Sequence, residues 1–368
     1  MDAQERVTAL AGRLVESGEE TGMQVAAYLA GELVVDVCAG LADQAAGRTV
    51  DQHTLFHSWS AGKGQLSTAV HVAAERGLVR YDAPIAGYWP EFAARGKQDV
   101  TVAQVLTHSA GIPQAPAGLA AADLAEWHGM CRRIADLPLR WKPGTATGYH
   151  ALTFGFVLGE VLRRVTGRPV SQVLREDVAE PLGIADGLFF GVPVEQLHRV
   201  ARLEDGNWAE TIARRPAESL FFAAAPAPVQ PSPELGNRPA YLAADIPCAG
   251  TMTARAAARM YSALIGEVDG VRLISPERAN RIAEVATADV DRVLGVPVPK
   301  GLGYFLGLPE TGPSAGAFGC KGSGGSVAFA DPARGFAFAF THNRLAAPPS
   351  DCAVEIAQEV REALRLDG

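Results

Sequence analysis

The chain has 368 residues, 48% hydrophobic and 20% charged, with a formal net charge of −8. Those figures suit a soluble globular protein able to bury a substantial core, and the negative charge argues against a nucleic-acid or anionic-membrane partner. Five widely spaced cysteines without a C-x-x-C pair, and the lack of an apolar leader or membrane-length run, point to a reducing, cytoplasmic location.

Residues 3–18 carry apolar positions at helical spacing, closed by the break Ser17-Gly18-Glu19-Glu20. Runs 23–30 and 32–40 read as strands joined at Gly31, as in a hairpin. A mostly helical middle follows, with helices expected over 60–77, 101–107, 117–135, from Leu152 onward, and over 169–180, 254–267 and 276–285. Residues 223–247 hold six prolines and read as an ordered loop over a cleft. Strand patterns return at 301–308, 316–320, 326–330 and 335–341; in the last, Phe336, Phe338 and Phe340 alternate with Ala337 and Ala339. A helix over 351–365 closes the chain. The economical arrangement is α+β. One antiparallel sheet comes from both chain ends (1–58 plus 290–368) and is flanked by helices, while a large helical region (59–289) is inserted between them, with the active site at the junction.

The chemistry centres on Ser60-Ala61-Gly62-Lys63. With 5 lysines and 14 serines in the chain, a chance S-x-x-K is uncommon. On a helix the i and i+3 positions share a face, so the Lys63 amine reaches the Ser60 hydroxyl. Ser60 opens the helical pattern, where unpaired N–H groups favour developing negative charge. A serine hydroxyl needs a neighbour to take its proton, and Lys63 is placed to do so.

Downstream stand Val105-Leu106-Thr107-His108-Ser109-Ala110-Gly111-Ile112-Pro113, then Pro143-Gly144 with Tyr149-His150-Ala151. Last comes Phe318-Gly319-Cys320-Lys321-Gly322-Ser323-Gly324-Gly325-Ser326, running into Ala328-Phe329-Ala330-Asp331-Pro332. In order and separation these segments, with Ser60 and Lys63, resemble the serine β-lactamase-like proteins, in the branch of class C β-lactamases and family VIII carboxylesterases. The likeness covers residues 23–345. It implies the β-lactamase/penicillin-binding-protein fold, Ser60 as the acylated nucleophile, and Lys63 with Tyr149 as the proton-handling pair. It also implies an oxyanion hole made by the backbone N–H groups of Ser60 and Ser323, with Gly322, Gly324 and Gly325 permitting close approach, and neither a metal nor an organic cofactor.

Two departures stand out. The second motif ends in Ala151 where the family has Asn, and the third has Cys320 where the family has Lys, His or Trp. Lys321 is adjacent, but neighbours on a strand point to opposite faces, so it replaces the cation only through a register shift or bulge. Trp59, His150, Cys320, Lys321 and Gly322 are candidate cleft-lining residues. Ser314 fits G-x-S-x-G but is followed by a strand-like run instead of a helix, and the histidines, His53 and His57 included, form no metal pattern. His108 reads as a structural turn residue.

The expected activity is hydrolysis of small-molecule carboxylic esters through an acyl-Ser60 intermediate. Acyl transfer by the same chemistry, β-lactam or D-amino-acid peptide hydrolysis, and an inactive scaffold are the alternatives. Oligomeric state has no sequence signal.

Overall fold

The structure, a computed structural model, describes residues 1–348 and 350–367. Its centre is a seven-stranded antiparallel sheet in the order β3-β2-β1-β11-β10-β9-β8. The first three are β1 (Gly22–Leu29), β2 (Glu32–Asp43) and β3 (Arg48–Thr49). Two small sheets lie beside it. One joins β4 (Phe56–His57), β7 (Thr251–Met252) and β5 (Leu188–Phe189); the other pairs β6 (Glu204–Asp205) with β12 (Arg344–Leu345). The large sheet is completed by β8 (Phe305–Leu306), β9 (Phe318–Lys321), β10 (Val327–Asp331) and β11 (Phe336–His342). Both chain ends therefore meet in one sheet, with β1 pairing directly with β11.

The two faces of the sheet differ because the side chains alternate. Phe336, Phe338 and Phe340 face one way with Phe329, Val25 and Ala27, under the terminal helices Ala3–Glu16 and Ala353–Ala363. Each such phenylalanine, fully buried, is worth about 1.5–3 kcal/mol. Ala328, Ala330, Ala337 and Ala339 face the other way. Their small side chains let the alanine-rich helix Ala254–Ile265 lie close against the strands. That helix falls inside the stretch expected to form the helical insert, yet it covers the sheet.

The hairpin, both terminal helices and the 60–77 helix (observed as Gly62–Glu75) lie where sequence placed them. Three expectations change. The 117–135 stretch is a 3-10 turn, Ala121–Ala125, followed by the helix Trp127–Ala135. The 223–247 segment folds into short turns, Ala227–Val229, Pro233–Gly236 and Pro239–Leu242, all three with proline at the first or second helical position, where its missing N–H is harmless. The 301–308 strand shrinks to Phe305–Leu306. No helix among the described residues is long and apolar enough to cross a membrane.

Candidate active site

Ser60 stands on a 3-10 turn, Trp59–Ala61, that feeds the helix Gly62–Glu75. The turn is anchored at the edge of a small sheet: Ser58 N–H donates to the Gly250 carbonyl at 2.8 Å, and Gly250 N–H to the Trp59 carbonyl at 2.9 Å. Trp59 has φ +46°, a conformation that bulky residues adopt only when their surroundings enforce it. Its indole is buried among Leu203, Leu235 and Leu345, 4.5 Å from the His57 ring, so it braces the turn from behind and does not line an open cleft.

The spacing of Ser60 and Lys63 does what one helical turn allows. Lys63 Nζ donates to Ser60 Oγ at 3.1 Å and to the Cys248 carbonyl at 3.2 Å, while the lysine itself is buried. Tyr149 OH donates to the same Oγ at 2.6 Å, and Lys63 Nζ lies 4.8 Å from the centre of the Tyr149 ring. One hydroxyl thus meets one amine and one phenol, drawn from segments 89 residues apart. Ser60 and Tyr149 remain partly exposed, so both touch solvent.

Strand β9 brings the third motif to this turn without a register shift. Cys320 pairs across the strands with Ala328, on the alanine face, while Lys321 pairs with Val327, on the phenylalanine face. Lys321 therefore does not line the cleft as a candidate: its ammonium lies 2.6 Å from both Glu310 and Asp351. Cys320 faces the helical side, with its Sγ 3.8 Å from the Gly303 carbonyl. Burial pushes the Cys320 thiol up to about 12, so it is neutral and a poor nucleophile. At Gly322 the strand end touches the turn that carries Ser60. A Cβ built there would lie 2.1 Å from the Ser58 carbonyl oxygen and 3.2 Å from Ala61 N. Gly322→Ala is accordingly expected to destabilise the fold by about 1–3 kcal/mol in urea unfolding; an unchanged midpoint would contradict this contact. Among the described residues, neither the Ser60 nor the Ser323 backbone N–H has a hydrogen-bond acceptor.

His150, a cleft candidate by sequence, has both ring nitrogens committed behind the site. Nδ1 donates to the Gly148 carbonyl at 2.6 Å, and Nε2 accepts from Ile112 N–H at 3.1 Å. His108, at φ +56°, accepts the His150 N–H through Nδ1 at 3.0 Å and stacks on Phe154. Ser314 lies between two turns and is followed by strand β9, not by a helix. Sequence reasoning missed the Cys248 carbonyl, which holds Lys63. It also missed the buried pair Asp291–Lys300, whose carboxylate accepts the Tyr149 N–H at 3.0 Å. Neither belongs to a short motif; the only hint was that Lys300 is one of 5 lysines.

Burial lowers four histidines: His57 and His71 to about 3, His150 to about 4, and His108 well below its ordinary value of 6.5. The folded state keeps them neutral while the unfolded chain protonates them near 6.5. Their contribution to stability is therefore flat above that pH and falls as pH drops through the window from 6.5 towards 3–4. Each contributes about 1.4 kcal/mol per pH unit inside the window. Urea midpoints at about pH 7.5 and 5.5 check this, and equal midpoints would contradict it.

Fold and contacts together are those of a serine hydrolase that works through an acyl-enzyme. The Beta-lactamase family matches residues 7–361, and the chain belongs to that family. It is 39% identical over 348 residues to the esterase/beta-lactamase LipL of Mycobacterium tuberculosis, covering 89% of this chain and 78% of that protein. The crystal structure of a family VIII carboxylesterase is similar at TM-score 0.88 and 34% identity, covering 97% of each chain. A penicillin-binding-protein homologue from Caulobacter crescentus is similar at TM-score 0.86 and 32% identity, over 100% of this chain and 98% of that one.

Proposed function

We propose that the protein is a serine carboxylesterase that cleaves esters of small or medium uncharged acyl groups. The observation that carries the reading is the double contact at Ser60 Oγ, 3.1 Å to the Lys63 amine and 2.6 Å to the Tyr149 phenol. Ser60 Oγ attacks the ester carbonyl and gives its proton to the Lys63–Tyr149 pair. The carbonyl oxygen, now negative, takes the free N–H groups of Ser60 and Ser323; each such donor is worth about 3–4 kcal/mol in acyl-transfer enzymes. Collapse expels the alkoxide, which is protonated by Tyr149. Water then attacks the acyl-Ser60 carbonyl, its proton passes to the pair, and Ser60 recovers a proton as the acid leaves.

The substrate class follows from what the site lacks. A β-lactam or a peptide carboxylate calls for a cation and an amide beside the nucleophile. Here the third-motif position holds a neutral thiol, Lys321 is bound to Glu310 and Asp351, and Ala151 has no amide. An acyl group without charge loses nothing in such a site, whereas a carboxylate would be desolvated without a partner. The similar protein LipL carries both esterase and beta-lactamase in its name, so the test sets the two activities side by side. p-Nitrophenyl butyrate is expected to exceed nitrocefin in kcat/KM by at least about 100-fold. Nitrocefin turned over as well as the ester would overturn the proposed substrate class. All five cysteines are free, which fits the cytoplasmic setting proposed here.

A further inference from the structure

Tyr149 reaches Ser60 from a segment, residues 147–150, that belongs to no helix or strand. What holds it is a strap formed by residues 287–300, pinned at its base by the bridges Thr287–Lys300 and Val290–Pro297. Inside the strap, the Asp291 carboxylate and the Lys300 ammonium lie 3.0 Å apart, both fully buried. One carboxylate oxygen accepts three backbone N–H groups, from Tyr149 at 3.0 Å and from Val293 and Leu294 at 2.9 Å each. Lys300 Nζ donates to Thr147 Oγ1 at 3.0 Å and to the Val298 carbonyl at 3.3 Å, and Arg292 N–H donates to the Thr147 carbonyl at 3.0 Å. The segment's other side rests on His108, whose carbonyl accepts the Gly148 N–H at 3.0 Å and whose ring accepts the His150 N–H.

Taking both charges out of water costs several kcal/mol per ion, so a buried pair is a weak source of stability. An apolar pair of the same volume would pack as well, but it would leave the Tyr149 N–H buried and unpaired. Among the described residues, the side-chain hydrogen bonds of Asp291 and Lys300 that leave the strap go to Thr147 and Tyr149, in the segment that carries the phenol.

We infer that the Asp291–Lys300 pair is a positioning device for Tyr149, holding its hydroxyl against Ser60. The inference rests on the proton-transfer role proposed above for Tyr149. Displacement of a reacting group by about 1 Å costs on the order of 100-fold in rate, so the pair acts on kcat and leaves the binding of small esters alone.

A double-mutant cycle with p-nitrophenyl butyrate tests this. In the native background, Asp291→Ala is expected to lower kcat about 100-fold with KM within about threefold. In the Tyr149→Phe background the same change is expected to lower kcat by less than about threefold, since the group it positions is gone. Equal losses in both backgrounds would overturn the inference and make the pair merely structural. If circular dichroism shows that Asp291→Ala does not fold, Asp291→Asn with Lys300→Met takes its place. That variant keeps an oxygen for the Tyr149 N–H and removes both charges and the Thr147 tie. It is expected to lower kcat about 10-fold in the native background and not at all with Tyr149→Phe, and equal losses again overturn the inference. A Tyr149→Phe protein of full activity is a different failure: it removes the proton-transfer role itself, and the positioning role with it.

Discussion

Ser60→Ala is expected to lower kcat/KM for p-nitrophenyl butyrate by at least about 10⁴-fold while leaving the fold intact. The rate effect follows from losing the hydroxyl that touches both Lys63 and Tyr149. The stability effect is small for two reasons. Ser60 is partly exposed, so no cavity opens, and Lys63 Nζ keeps the Cys248 carbonyl as a partner when the hydroxyl is removed. Urea unfolding is therefore expected to shift by less than about 1 kcal/mol. Retained esterase activity in a folded Ser60→Ala protein would place the nucleophile elsewhere.

Tyr149→Phe carries the second large effect, a fall in kcat of about 10³-fold with KM little changed. Only the hydroxyl is deleted; the ring keeps its place beside His108 and Phe305, with centroids at 5.1 and 6.0 Å. The leaving group supplies the discriminating readout. p-Nitrophenolate departs readily without a proton, whereas an alkoxide needs one, so the loss should be larger for ethyl butyrate than for p-nitrophenyl butyrate. Equal losses for the two esters would show that Tyr149 does not protonate the leaving group.

The parts of this molecule that were legible in the amino-acid sequence are those with a short period or a local reach. Phe336, Phe338 and Phe340 announce a strand with one heavy face, and the structure puts all three beneath the terminal helices. Ser60 and Lys63 meet because they lie one helical turn apart. Strand alternation likewise set Cys320 and Lys321 on opposite faces unless the strand shifted; the structure shows no shift and supplies Glu310 and Asp351 as the partners of Lys321. Resemblance to a family supplied Tyr149, which periodicity alone would not have joined to Ser60 across 89 residues.

What escaped the sequence depends on distant or non-repeating contacts. The 301–308 run reads as a strand, but Gly303 adopts φ +85° and its carbonyl is taken by Ser67 Oγ at 2.8 Å, which breaks the ladder there. His150 looked available because it follows Tyr149, and only the fold shows its ring tied to Gly148 and Ile112. Asp291 supports Tyr149 from 142 residues away, a pairing that leaves no pattern in either segment. The group of Tyr149 that Asp291 holds is a backbone N–H, which every residue but proline supplies.

The acyl-enzyme itself is the most direct test. Acid-quenching the protein during turnover of p-nitrophenyl butyrate, whose leaving group departs without a proton so that acylation is fast, followed by intact-mass and peptide mass spectrometry, is expected to show one butyryl group on the peptide that carries Ser60, absent from Ser60→Ala. A butyryl group on any other residue, or hydrolysis with no covalent adduct at any quench time, would contradict the account.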